Sequence, residues 1–148
     1  MPNQKHQLTI LNELIRVSED GEQGFSLAAE KASDPNLRSL LVDRAQRCQS
    51  AAEELQGIVH QLGGTPEQSG TLGGTLHRGW VRTKTAMGGG DVAVLDEVER
   101  GEDIAKAVYA RALEAELPGE IKNVVDRQYR GVLQNHDRIR DLRDQFRA

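Results

Sequence analysis

Four long segments of this sequence carry apolar residues every three or four positions, which is the spacing of residues on one face of an α-helix. The segments cover residues 5–32, 35–62, 91–117 and 120–146. Proline or glycine marks the breaks between them, because neither residue readily continues a helix. The sequence therefore predicts an all-α fold of four amphipathic helices.

The stretch between the second and third segments, residues 63–90, differs from the rest in composition. It holds nine of the chain's fifteen glycines, and it includes an amphipathic piece from Leu76 to Met87 that contains Trp80. Two helical hairpins joined by so long a connection are typical of a four-helix bundle with one long crossover. We predict a single domain over residues 1–148, made of a hairpin (5–62), a crossover with one short helix (63–90) and a second hairpin (91–146).

The two hairpins resemble each other in sequence. The segment Glu19–Glu22 matches Glu99–Glu102 at an offset of 80 residues. Val42–Arg44 with Arg47 matches Val125–Arg127 with Arg130 at an offset of 83. The difference of three residues falls at the hairpin turns, where insertions are tolerated. The pattern indicates a duplicated hairpin.

Several short motifs extend over nearly the whole chain. They are HRGW at His77–Trp80, ERGED at Glu99–Asp103, LP at Leu117–Pro118 and NHD at Asn135–Asp137. Together they resemble an uncharacterised bacterial family of ferritin-like four-helix-bundle domains. The resemblance implies a ferritin-like fold, and it implies no particular activity.

A di-iron or di-manganese centre is the most specific functional hypothesis. Such centres use a Glu from each of two helices and a Glu-x-x-His from each of the other two. Glu22 and Glu102 lie on the helix faces that would supply the first pair. None of the four histidines has a glutamate three residues before it. A mononuclear site made by Glu22, Glu102 and His136 remains the metal-binding alternative, although we expect no metal and no cofactor.

An ionic layer in the core is the other explanation of the two glutamates. A buried charge needs a partner of opposite sign, because an unpaired one costs several kcal/mol. Arginines recur in the second helix of each hairpin, and arginine suits partly buried pairing with carboxylates. We predict a core polar layer in which Glu22 is held chiefly by Arg44 or Arg47. Its members are Glu22, Glu102, Arg44, Arg47, Arg127 and Arg130.

Two further features have an ordinary structural interpretation beside a chemical one. Cys48 lies on an apolar helix face, which favours a small core residue over a reactive thiol. His136-Asp137 would resemble a catalytic dyad if a nucleophile accompanied it, but none is evident, which favours a polar helix face.

Composition and charge exclude several classes of partner. The net charge of −4 argues against nucleic acid, since phosphate binding requires a basic surface. The sequence has no apolar stretch of roughly 18 residues, so we expect no membrane partner. The N-terminal residues do not resemble a signal peptide, which predicts a cytoplasmic location.

Three functional hypotheses follow from the sequence. The first is a non-enzymatic ferritin-like bundle, stress-associated or engaged with an unknown protein partner, and possible as a homodimer. The second is a metal-binding ferritin-like oxidoreductase or metal-storage protein. The third, a small-molecule carrier, requires a cavity between the helices.

Overall fold

The computed structural model describes residues 4–66 and 90–147. These residues form four α-helices and no strand, which confirms the predicted all-α fold. The helices are α1 (Gln4–Lys31), α2 (Pro35–Gln61), α3 (Gly90–Glu114) and α4 (Gly119–Arg147). The predicted crossover helix with Trp80 lies outside the described residues. None of the four helices combines the length and apolar content needed to cross a membrane.

The turn between α1 and α2 is built around Asp34. Its carboxylate oxygen accepts hydrogen bonds from the backbone amides of Asn36 and Leu37, at 2.8 and 3.0 Å. Pro35 occupies the first helical position, where its missing N–H would have had no partner in the helix. Asp34 therefore begins α2 as its N-cap, and the helix is fixed in direction relative to α1.

The start of α3 is tied to the same turn. The sequence suggests Asp91 as the cap of the third helix, but the helix begins at Gly90, and the Asp91 carboxylate reaches the neighbouring hairpin instead. It accepts hydrogen bonds from the backbone amides of Ser33 and Asp34, at 2.8 and 2.9 Å. Gly90 has a φ of 74°, a backbone conformation that residues other than glycine rarely adopt. These contacts hold the first turn of α3 against the end of α1.

We expect Asp91→Ala to lower the free energy of unfolding by about 1–2 kcal/mol, because it leaves two amides at the α1–α2 turn without their acceptor. Urea unfolding measures the loss. Asp96→Ala is the matched control, since Asp96 lies in the same helix and pairs with the half-exposed Arg147. The control should lose less than about 0.5 kcal/mol, and equal losses in the two variants would contradict the role given to Asp91.

The end of α2 lies at the opposite end of the bundle from the start of α3. The Gln4 side chain donates to the backbone carbonyl of Leu62, and the Asn12 side chain donates to that of Thr65. The residues that follow α2 are therefore held beside the beginning of α1, whereas Gly90 lies beside its end. A helix of 25 residues is about 37 Å long, so Pro66 and Gly90 are separated by roughly the length of a helix.

The helices pack closely along three sides of the bundle, α1 with α2, α3 with α4 and α1 with α3. On the fourth side the backbones of α2 and α4 do not approach each other closely. The buried apolar side chains form two separate clusters. One lies toward the start of α1 and includes Leu11, Leu14, Leu55, Val59 and Val125. The other lies toward its end and includes Phe25, Leu37, Leu41, Leu95 and Ile139.

Candidate functional site

A cavity of about 480 Å³ lies in the middle of the bundle, between the two apolar clusters. Its walls come from all four helices. Many of the lining residues are small, which explains why the space is not filled. A Cβ atom added at Gly131, for instance, would meet no heavy atom within 4 Å. The small lining residues are Ser18, Gly21, Cys48, Ser50, Ala51, Gly101, Ala105 and Gly131.

Glu102 is a deeply buried charged residue of the cavity wall. It is 2% exposed, and its Oε1 accepts a hydrogen bond from the Asn135 side-chain amide. The same oxygen lies 3.9 Å from Nη2 of Arg44. Oε2 is buried and has no hydrogen-bond partner in the described part of the chain. Burial raises the pKa of Glu102 above its usual range, and Arg44 and Asn135 only partly offset this effect.

Arg44 enters the cavity from α2. Its guanidinium lies over the ring of Phe25, with 5.7 Å between the guanidinium carbon and the ring centroid. Its side chain is 12% exposed, and its buried Nε lacks a hydrogen-bond acceptor among the described residues. The aromatic face and Glu102 together stabilise this cation in a largely apolar setting.

A second buried carboxylate, Asp20, lines the cavity from α1. It is 2% exposed, and no described residue forms a hydrogen bond with its buried Oδ2. Burial is the main reason why the pKa of Asp20 is raised to about 7, and the neighbouring Glu19 raises it further. The positive charge of Arg16, one turn earlier on the same helix, lowers the pKa of Asp20. Asp20 is therefore expected to exchange a proton near neutral pH.

A chain of hydrogen bonds connects the interior of the cavity to its opening between α2 and α4. The Tyr109 hydroxyl lies 3.3 Å from the Ser18 hydroxyl and donates to the Gln128 side-chain oxygen at 2.8 Å. The Gln128 amide donates to Glu54 at 2.8 Å, and Arg127 pairs with Glu54 at 2.5 Å. Partial burial tends to raise the pKa of Glu54, but hydrogen bonds from Arg127 and Gln128 outweigh it and lower the pKa. The opening is thus bordered by a satisfied ion pair.

The thiol of Cys48, on α2, lies beside Gly21 of α1. A Cβ atom added at Gly21 would be only 3.0 Å from its Sγ, so Gly21 permits this approach. Burial raises the pKa of Cys48 to about 12. The thiol therefore stays protonated at neutral pH, and in that form it is a poor nucleophile and metal ligand.

Of the six residues predicted for the core polar layer, the structure brings together Glu102 and Arg44. The other three arginines are exposed and pair elsewhere: Arg47 with Asp43, Arg127 with Glu54, and Arg130 with Asp126. Glu22 is half-buried and lines a groove on the outer side of α1 and α2, together with Arg38 and Val42. In the structure Arg44 thus pairs with the glutamate of the other hairpin, in place of the predicted Glu22.

The donor groups of the described residues do not fit a ferritin-type metal centre. Within residues 4–66 and 90–147, no three His, Cys, Asp or Glu side chains come close enough to share a metal ion. His136 bonds to Asp103, with 2.7 Å between Nε2 and Oδ1, and it does not line the cavity. Glu102 has a guanidinium and an amide as neighbours, and both are hydrogen-bond donors that compete with a metal ion for the same oxygen.

Sequence comparison places the chain in a family. Residues 6–115 match the family described as Domain of unknown function (DUF2383). The chain belongs to this family. The DUF2383 match covers nearly all of α1 and the whole of α2 and α3, and it ends before α4. It confirms the predicted membership of a family without an assigned function. A comparison with curated proteins finds no match.

The sequence reasoning missed Asp20 and the role of Tyr109. Helical periodicity places Tyr109 on the apolar face of its helix, and only its hydroxyl partners Ser18 and Gln128 show that it also belongs to a polar chain. Asp20 adjoins Gly21 in the repeated segment, as Glu22 does. A position next to a buried glycine is the sequence feature that could have indicated Asp20, but it indicates Glu22 equally well.

Proposed function

We propose that this DUF2383 chain is a non-enzymatic, ferritin-like helical bundle that binds a small organic molecule in its central cavity. The cavity itself carries the proposal. Its volume of about 480 Å³ falls within the range of about 300–1,000 Å³ that is typical of small-molecule sites. Apolar walls with a few oriented polar groups are also typical of such sites. Here Val17, Ile104 and Val132 supply apolar surface beside the carboxylates.

Two observations support a binding role over a catalytic one. The Cys48 thiol is held protonated, so it is not an activated nucleophile. His136 and Asp103 form the one described histidine–carboxylate pair at hydrogen-bond distance, and this pair lies away from the cavity lining. A ligand bound in the cavity would therefore meet hydrogen-bonding groups but no nucleophile activated by a base.

The end of α2 and the start of α3 lie at opposite ends of the bundle, and this supports the ferritin-like part of the proposal, since ferritin-like bundles have one long crossover. We further propose a bacterial origin, a cytoplasmic location, no binding to nucleic acid, and a homodimer in solution. A metal-binding oxidoreductase or storage protein is the second candidate, and the repeat of Glu22 and Glu102 is the feature that favours it. Thermal stabilisation by added iron or manganese would support that alternative.

The binding proposal is tested with 1-naphthalenemethanol, a neutral probe with a flat apolar body. We expect millimolar probe to shift the amide NMR signals of residues that line the cavity, Gly101 and Gly131 among them. Gly131→Leu should abolish these shifts, because the leucine side chain would occupy the open space beside residue 131.

Gly57→Leu is the matched control, because Gly57 is an exposed helical glycine that also has no neighbour within 4 Å of an added Cβ. It should leave binding unchanged. The absence of shifts at the cavity in the wild type, or equal binding by both leucine variants, would overturn the proposal.

A further inference from the structure

The charged groups inside the cavity are not balanced. Asp20 and Glu102 contribute two carboxyl groups with 2% exposure each, and Arg44 contributes the one largely buried cation of the described lining. The other two arginines in the lining, Arg47 and Arg127, are more than half exposed. These two already pair with Asp43 and Glu54. The interior therefore holds more negative than positive groups.

The buried polar atoms that lack a hydrogen-bond partner among the described residues show the same imbalance. Oδ2 of Asp20 and Oε2 of Glu102 are buried acceptors without donors, whereas Nε of Arg44 is one buried donor without an acceptor. Buried polar atoms are normally satisfied, and each one left unsatisfied costs free energy. A ligand that offers N–H donors and positive charge would satisfy the carboxylate oxygens, whereas an anionic ligand would add a third buried acid.

We propose that the cavity selects small organic cations, namely primary ammonium ions on an apolar body, with the ammonium group attracted by the carboxylates of Asp20 and Glu102, which line the same space. This inference rests on the proposed binding function and adds the chemical class of the ligand. The apolar body would lie against Val17, Ile104 and Val132, which line the same space. Charge-assisted hydrogen bonds to carboxylates are stronger than neutral ones, so the ammonium supplies affinity as well as orientation.

Arg44 does not exclude a cation from this site. Its guanidinium lies over Phe25 and 3.9 Å from Glu102, so the aromatic ring and the carboxylate both stabilise its positive charge. At Asp20, the positive charge of Arg16 lowers the pKa, but the effect of burial outweighs it. The raised pKa values of Asp20 and Glu102 agree with this picture, because they show that both ionised carboxylates lack sufficient compensation in the folded protein.

Three probes with one naphthalene body separate the possibilities: 1-naphthylmethylamine, 1-naphthalenemethanol and 1-naphthoate. They carry positive, zero and negative charge at neutral pH. We expect the amine to bind at least about tenfold more tightly than the alcohol, and the carboxylate to bind most weakly. Titration followed by amide NMR signals of the cavity residues gives the three affinities.

Asp20→Asn and Glu102→Gln should each weaken amine binding by about tenfold and leave alcohol binding nearly unchanged. Asp126→Asn is the control, since it removes an exposed acid paired with Arg130, and it should change neither affinity. Equal binding of amine and alcohol, or tighter binding of the carboxylate, would overturn the cation inference while the cavity remains a binding site. If none of the three binds, the proposed function itself fails.

Discussion

Arg44→Met is expected to lower the free energy of unfolding by about 3–5 kcal/mol, the loss typical of removing one partner from a buried ion pair. The substitution leaves Glu102 at 2% exposure with only the Asn135 amide as a described hydrogen-bond partner. Methionine keeps much of the packing volume over Phe25, so the loss reports mainly on charge. Urea unfolding near neutral pH measures it.

Two further variants show whether the loss comes from the pair. Arg47→Met, one turn along α2, removes an exposed arginine paired with Asp43 and should cost less than about 0.5 kcal/mol. Adding Glu102→Gln to Arg44→Met should restore most of the lost stability, because the stranded carboxylate is then gone. Equal losses at positions 44 and 47, or no recovery in the double variant, would show that Arg44 does not compensate Glu102.

Asp20→Asn is expected to stabilise the protein at pH 8, by about 2 kcal/mol. Burial raises the pKa of Asp20 from 3.8 to about 7. Between these values the folded state keeps a proton that the unfolded state has lost, so stability falls as the pH rises through this window. Above about pH 7 the penalty is fully present. Asparagine resembles the protonated acid and avoids the penalty.

The comparison requires unfolding curves for both proteins near pH 4 and near pH 8. The two should be similar in stability near pH 4, and the advantage of the variant should develop as the pH rises. Asp126→Asn is the control, because it removes a half-exposed carboxylate paired with Arg130, and it should change the stability by less than about 0.5 kcal/mol. A wild type that is more stable than Asp20→Asn near pH 8 would mean that the Asp20 carboxylate is well compensated in the fold.

The boundaries of the helices were predictable because short-range chemistry sets them. Asp34 caps α2 through contacts two and three residues away, and Pro35 fixes the first turn, so local sequence is sufficient. Asp91 shows where local reasoning stops. It has the residue type and position of a cap, but its partners are amides 57 and 58 positions away, and these depend on how the hairpins dock.

The polar layer was only partly predictable for a geometric reason. Successive residues of a helix are rotated by about 100°, so Asp20 and Glu22 lie on opposite edges of the face that contains Gly21. Periodicity identifies that face, but it cannot tell which edge meets a neighbouring helix. In α1 the buried edge carries Asp20, whereas in α3 it carries Glu102. The helices α1 and α3 are therefore rotated differently about their own axes, although their sequences match at these positions.

The pairing of Arg44 with Glu102 also depends on helix placement. These residues belong to different hairpins. Counting residues from a turn predicts which residues lie side by side within one hairpin, but not between two hairpins. The space between the backbones of α2 and α4 likewise follows from packing, since Gly131 and Ala51 leave room without dictating that it remain open. The cavity thus depends on the three-dimensional arrangement of residues whose individual positions in the sequence are unremarkable.

A crystal structure of the protein soaked with 1-naphthylmethylamine tests the central claim most directly. The account predicts naphthalene density between α2 and α4, beside Ile104 and Val132, with the ammonium nitrogen within hydrogen-bond distance of the Asp20 or Glu102 carboxylate. It also predicts Arg44 against Glu102 in the same crystal. A closed interface in which α2 and α4 pack together and leave no space beside Gly131, with no probe bound, would contradict the claim.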